Sequence, residues 1–94
     1  MKVYQLELLD LGFCLDPVFK SRESAEKVKD KYPNRKIKIK TTFVSDIENN
    51  IIYRIKNIEC DGYTLDDSIY SNIESAISHI KDNKQEVVKE QLYG

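Results

Sequence analysis

The chain of 94 residues is 40% hydrophobic and 33% charged, with 15 Lys and Arg against 16 Asp and Glu. These proportions are typical of a single small globular domain and exclude collagen-like or disordered chains. The net charge of −1 excludes a polybasic nucleic-acid wrapper. No apolar run reaches the roughly 18–20 residues of a membrane span, and no secretory apolar segment follows the first residues, so we expect a cytoplasmic protein.

The first half of the chain has the pattern of two strands, a helix and a further strand. Apolar and polar residues alternate over residues 2–9, and a turn at Gly12 leads to a short strand that ends at Phe19. Ser21 is a suitable N-cap, so a helix is predicted over 22–32, where the proline at position 33 ends it. Alternation then predicts a strand over 36–44.

The second half begins after a polar, turn-like linker. A strand is predicted over 51–59, and the Asp61-Gly62 pair predicts a tight turn into a short strand that reaches Tyr70. A helix follows over 72–82, with Asn72 competing with Ser71 as the N-cap and with a predicted buried stripe of Ile73, Ala76, Ile77 and Ile80. Residues 86–93 fit either a last strand, which we favour, or a continued helix.

Two stretches of the first half are similar in order and pattern to stretches of the second half. Residues 3–6 match residues 52–55 at an offset of 49 positions, and residues 18–25 match residues 69–76 at an offset of 51. Apolar positions coincide at nearly every aligned place, and a Glu-Ser-Ala triplet is identical. This agreement indicates an internal duplication.

A duplicated chain of this pattern predicts an α+β fold. We expect one domain over 1–94, made of two ββαβ repeats at 1–44 and 51–94 that are joined by the linker 45–50. The repeats would form an antiparallel-rich sheet with both helices on one face. The alternative is two small sheets, each with its own helix.

Charge is divided unequally between the halves. Residues 1–44 hold ten Lys and Arg against six Asp and Glu, a net charge of +4, whereas residues 45–94 hold five against ten, a net charge of −5. Lys36, Lys38 and Lys40 have one parity of a strand, so they share one face. They can guard an exposed strand against wrong pairing, or they can bind an acidic protein or a nucleic acid.

The sheet face opposite the helices is the predicted contact surface. It mixes basic and apolar side chains, which suits a protein interface better than a core or a fully solvated face. The predicted partner-binding residues on this face are Lys36, Lys38, Lys40, Ile52, Arg54, Lys56 and Ile58.

The sequence shows no arrangement of residues that is typical of catalysis. Cys14 and Cys60 lie 46 positions apart and are expected to be free thiols, and with His79 they are too few for a zinc site. The aspartates at 61, 66 and 67 surround a turn and are explained by turn chemistry. We therefore expect no catalytic residues, no metal and no cofactor.

The opening Met-Lys-Val-Tyr-x-Leu, a glycine turn, and the Val18–Ala25 stretch resemble small uncharacterised accessory proteins of phages and prophages of low-GC Gram-positive bacteria. The Phe-x-Ser start of the helix is also similar to the DNA-binding arm domain of tyrosine integrases, whose basic, aromatic-rich hairpin this chain lacks. The phage resemblance implies a non-enzymatic inhibitor that binds a host or defence protein. A second copy of the chain is another candidate partner, and the alternative function is nucleic-acid binding through the lysine strand.

Overall fold

The computed structural model describes residues 1–94, which form six strands and two helices. The chain divides into two compact units, Met1–Val44 with Leu92–Gly94 and Ser45–Gln91. The elements in chain order are β1 (Lys2–Leu8), β2 (Phe13–Cys14), α1 (Arg22–Lys29), β3 (Ile37–Phe43), β4 (Ile51–Glu59), β5 (Gly62–Leu65), α2 (Ile73–Ser78) and β6 (Gln85–Gln91).

The first unit contains a three-stranded antiparallel sheet in the order β2-β1-β3. Leu6 lies opposite Ile39 and Leu8 lies opposite Ile37, so apolar side chains share one face. Helix α1 covers that face, and Ala25 is its buried residue. The buried cluster consists of Leu6, Leu8, Phe19, Ala25 and Ile37, with Tyr4, Leu15, Val28 and Ile39 packed around it.

Helix α1 begins where the sequence predicts and ends three residues earlier. The Ser21 side chain accepts a hydrogen bond from the Ser24 N–H, which caps the helix. After Lys29 the backbone tightens, since the Lys31 N–H donates to the Val28 carbonyl and the Tyr32 N–H donates to the Lys29 carbonyl. Bonds between residues three positions apart are typical of a tightened last helical turn, and the proline at position 33 disfavours helical backbone at Tyr32.

The second unit contains an antiparallel sheet in the order β5-β4-β6. The hairpin between β4 and β5 turns at Cys60 and Asp61, one residue before the predicted Asp61-Gly62 pair, because Gly62 pairs with Glu59 as the first residue of β5, with a φ of 142°. Strand β6 pairs with β4 along seven residues, from Ile51 opposite Gln91 to Asn57 opposite Gln85. The predicted final strand is thereby confirmed.

Helix α2 is shorter than the predicted span 72–82, because Ser75 offers its carbonyl to two side chains. The Ser78 hydroxyl donates to this oxygen over 2.7 Å, and the His79 Nδ1 lies 2.8 Å from it. Such side-chain bonds compete with the helical pattern and favour a helix end. Ile73 and Ile77, predicted as core, are 43% and 54% exposed.

Matching positions of the two units have the same local geometry. Tyr4 exchanges two backbone hydrogen bonds with Phe19, and Tyr53 exchanges the same pair with Tyr70. The α+β class with two ββαβ repeats is therefore confirmed. The strands form two three-stranded sheets, each with its own helix, rather than one sheet with both helices on one face.

Candidate binding surfaces

The lysine row consists of Lys36, Lys38 and Lys40, all of which are exposed. Lys38 lies opposite Glu7 and Lys40 lies opposite Gln5, on the sheet face that α1 does not cover. Strand β3 is an edge of its sheet. The lysine row therefore stands beside an unpaired strand edge.

No ion pair within the chain involves the lysine row. Other cations of the first unit are matched with carboxylates: Arg22 with Glu26, Lys27 with Glu23, and Arg35 with Asp10. The lysine row is thus a set of adjacent positive charges that no ion pair within the chain neutralises.

Two of the predicted partner-binding residues are not accessible. Ile52 is 0% exposed and Arg54 is 1% exposed, so the expectation that both lie on an open sheet face is wrong. Period-two alternation assigns such residues to a face, but it does not show whether that face is covered. Strand β4 is in fact buried on both faces, since Ile55 is buried as well.

Arg54 holds the strands of the second unit together. Its guanidinium donates to Glu90 Oε1 over 3.1 Å and to the Asp66 carbonyl over 2.9 Å. Asn57 Nδ2 donates to Asp66 Oδ1 over 2.7 Å, and Gln85 Nε2 donates to Asn57 Oδ1 over 2.8 Å. This network joins β4, the segment after β5, and β6, which gives Arg54 a structural role.

Lys56 and Ile58 are the remaining predicted contact residues. Lys56 Nζ lies 3.5 Å from Glu86 Oε1 and 4.4 Å from the centre of the Tyr63 ring, so its charge is already matched within the unit. Ile58 is exposed opposite Tyr63 in the β4–β5 hairpin. The lysine row belongs to the first unit and these two residues belong to the second.

The second unit also contains a cleft of about 410 Å³ that the sequence did not predict. It is lined by Asp46, Glu48, Asn49, Ile51, Tyr53, Ser71, Asn72, Ile73 and Glu74. Asp46, Asn49 and Asn50 have φ values of 63°, 56° and 59°, a left-handed conformation that Asp and Asn tolerate best. The concentration of Asp and Asn in the linker indicated a turn, but it did not indicate what the turn would enclose.

The cysteines, His79 and Asp66 have different surroundings. Cys14 is buried and Cys60 is exposed, and neither forms a disulfide. His79 is exposed beside Ser78 and the Tyr70 ring, and Asp66 is used in the network described above. No group of three or more His, Cys, Asp and Glu side chains could hold a metal ion. Neither helix has the length and apolar character needed to cross a bilayer.

Comparison with protein-family models, with curated proteins and with solved structures finds no match for this chain. The resemblance of its first 30 residues to phage accessory proteins stays a prediction.

Proposed function

We propose that this protein is a non-enzymatic binding module whose lysine row contacts an acidic surface of a partner protein. The observation that carries the proposal is the row of three exposed lysines, with Lys38 and Lys40 on the edge strand β3 and Lys36 directly before it, none of which forms an ion pair within the chain. Complementary charge speeds association and selects partners, so an unneutralised row is suited to recognition.

The charge of the unit that holds the row supports an acidic partner. Met1–Val44 with Leu92–Gly94 carries ten Lys and Arg against six Asp and Glu. An approaching acidic surface therefore meets a positive field from the whole unit as well as three local charges. The phage resemblance makes a host or defence protein the expected kind of partner, encountered in the host cytoplasm.

Nucleic acid is the second candidate, because same-face side chains of a strand are roughly 7 Å apart, a spacing similar to that of phosphates along a strand. Three lysines would give about three phosphate contacts, compared with the 6–10 contacts of strongly salt-dependent DNA-binding proteins. The second unit, with five Lys and Arg against ten Asp and Glu, repels a polyanion. These charges favour a protein partner over nucleic acid.

The test is charge reversal within the row. Proteins captured from a low-GC Gram-positive lysate would be purified, and their affinity measured by calorimetry for the parent chain and for Lys38→Glu/Lys40→Glu. We expect binding to weaken about tenfold or more, because like charges would face each other across the interface. The thermal midpoint should fall only slightly, because exposed charges contribute little to stability, even though Lys38→Glu places a glutamate opposite Glu7.

Lys27→Glu/Lys31→Glu is the matched control, since it makes the same charge change on exposed residues of the same unit. Equal affinity of parent and row variant, or equal loss in both variants, would contradict the proposal. Tight binding of DNA or RNA that is lost in the row variant, without a protein partner, would favour the nucleic-acid function. If the chain captures only further copies of itself, the lysine row serves self-association and the proposal of a different partner protein is wrong.

A further inference from the structure

The C-terminal residues of the chain add an extended segment to the first unit. The Tyr93 N–H donates to the Val18 carbonyl over 2.9 Å, and the Lys20 N–H donates to the Tyr93 carbonyl over 2.8 Å. Phe19 and Tyr93 thus form a parallel bridge, and their ring centres are 5.9 Å apart. Phe19 is thereby paired on both sides, with Tyr4 on one side and Tyr93 on the other.

The second unit has the same edge without the added segment. Ile69, Tyr70 and Ser71 match Val18, Phe19 and Lys20 at the offset of 51, and Tyr70 pairs inward with Tyr53. No backbone hydrogen bond reaches the Ile69 carbonyl or the Ser71 N–H, the two groups equivalent to those that bind Tyr93. A donor and an acceptor are therefore aligned and available for an incoming strand.

The cleft described above lies beside this edge. Ser71, Asn72 and Glu74 line it on the helix side, and Asp46 and Glu48 line it on the linker side. Its volume of about 410 Å³ falls within the usual range of ligand pockets. The linker does not close the cleft by pairing with the edge, because the Ile51 N–H bonds to the Glu48 carbonyl and turns the linker into β4.

The lining specifies the charge of the occupant. It contains three carboxylates, from Asp46, Glu48 and Glu74, and no Lys, Arg or His. In the first unit the aliphatic part of the Lys20 side chain lies beside Gly94, whereas the equivalent of Lys20 in the cleft is Ser71, which carries no charge. A chain terminus with its carboxylate would find no cation here, and an internal segment that carries lysine or arginine would be matched.

We infer that the cleft of the second unit binds an extended, basic, internal segment of a partner protein, which adds a short strand to residues 69–71. Main-chain hydrogen bonds supply affinity in this mode of recognition, and the side-chain surroundings supply specificity. The backbone pairing is parallel, as it is for Tyr93. This site is independent of the lysine row, because it lies in the other unit and takes a segment of opposite charge.

The probe is an acetylated and amidated peptide, Lys-Leu-Tyr-Gly-Lys, titrated into the full chain labelled with ¹⁵N. We expect saturable shifts of the amide signals of residues 69–74 and slower hydrogen exchange of the Ser71 amide. Glu-Leu-Tyr-Gly-Glu should bind at least tenfold more weakly, because its charge repels the lining. A peptide N-methylated at its tyrosine should lose binding, because it lacks the donor to the Ile69 carbonyl.

The chain offers a matched pair of variants. Glu74→Lys should weaken the binding of the basic peptide, whereas Glu23→Lys, the matching substitution on α1, should leave that binding unchanged. Glu48 lies outside both helices, so Glu48→Lys tests the effect of the same charge reversal on peptide binding without disturbing a helix end. Shifts at residues 18–20 instead of 69–74, equal binding of the two peptides, or unchanged binding in both cleft variants would overturn the inference.

Discussion

Gln5 and Arg54 are polar side chains at matching positions of β1 and β4, and each is 1% exposed. A buried charge costs much free energy unless it is paired and hydrogen-bonded. Arg54 meets this requirement through Glu90 and the Asp66 carbonyl, as a guanidinium does best because its donors are fixed in one plane. Arg54 can be buried because Glu90 on β6 and the Asp66 carbonyl after β5 accept its hydrogen bonds.

Removing Glu90 tests that dependence. We expect Glu90→Ala to lower the free energy of unfolding by about 3 kcal/mol, the lower end for a broken buried ion pair, because Glu90 is itself partly exposed. Glu86→Ala is the control, since it breaks the more exposed pair with Lys56 on the same two strands and should cost under about 1 kcal/mol. Urea denaturation measures both, and equal losses would contradict the structural role of Arg54.

The helices show how local signals compete at the scale of an element. Helix α2 has two candidate caps in sequence, Ser71 with a capping box to Glu74, and Asn72. In the structure the Asn72 side chain accepts from the Ser75 N–H over 2.8 Å, as Ser21 does at the matching place on α1. Asn72 is therefore the cap of α2, at the position that matches Ser21 in the repeat.

Substitution of the two candidates separates them. Asn72→Ala should destabilise the protein by about 1 kcal/mol, because the Ser75 N–H loses its acceptor. Ser71→Ala should stay within about 0.5 kcal/mol, as expected of a substitution that removes no cap. The measurement is thermal or urea unfolding followed by circular dichroism. The reverse order of the two losses would show that the capping box forms in solution.

The elements themselves could be predicted from the sequence, whereas their partners could not. Alternation located β1, β3 and β4, and proline and Ser21 located α1. Nothing in the sequence showed that β4 is buried on both faces, because Arg54 belongs to a residue type that usually lies at the protein surface. Ile73 and Ile77 have the spacing of a core stripe, yet the helix ends after six residues and only Ala76 is buried.

At the scale of the whole molecule, the structural units coincide with the division of charge. The unit of Ser45–Gln91 carries a net charge of −5, and the other unit carries +4. The lysine row lies in the unit with a positive net charge, and the acidic cleft lies in the unit with a negative net charge. Duplication followed by divergence of charge accounts for both surfaces, since two copies of one ββαβ unit then present opposite chemistry to partners.

The repeat boundary and the unit boundary differ at the C-terminus, where the second repeat extends to Gly94 but Leu92–Gly94 belong to the first unit. Leu92 is buried there, and Tyr93 pairs with residues 18–20. The first ββαβ unit is therefore completed by residues that are far away in sequence. Its stability should depend on the last three residues of the chain.

Deleting residues 92–94 should thus lower the free energy of unfolding by about 3.5–5 kcal/mol. The loss combines the burial of one leucine, about 1.5–3 kcal/mol, with backbone hydrogen bonds worth about 1 kcal/mol each. Hydrogen exchange of the Lys20 amide, which donates to the Tyr93 carbonyl, should accelerate most. Deletion of Gly94 alone is the control, because it removes neither Leu92 nor the bonds of Tyr93. If the Lys20 amide exchanges equally in both truncated chains, the C-terminal residues do not complete the first unit.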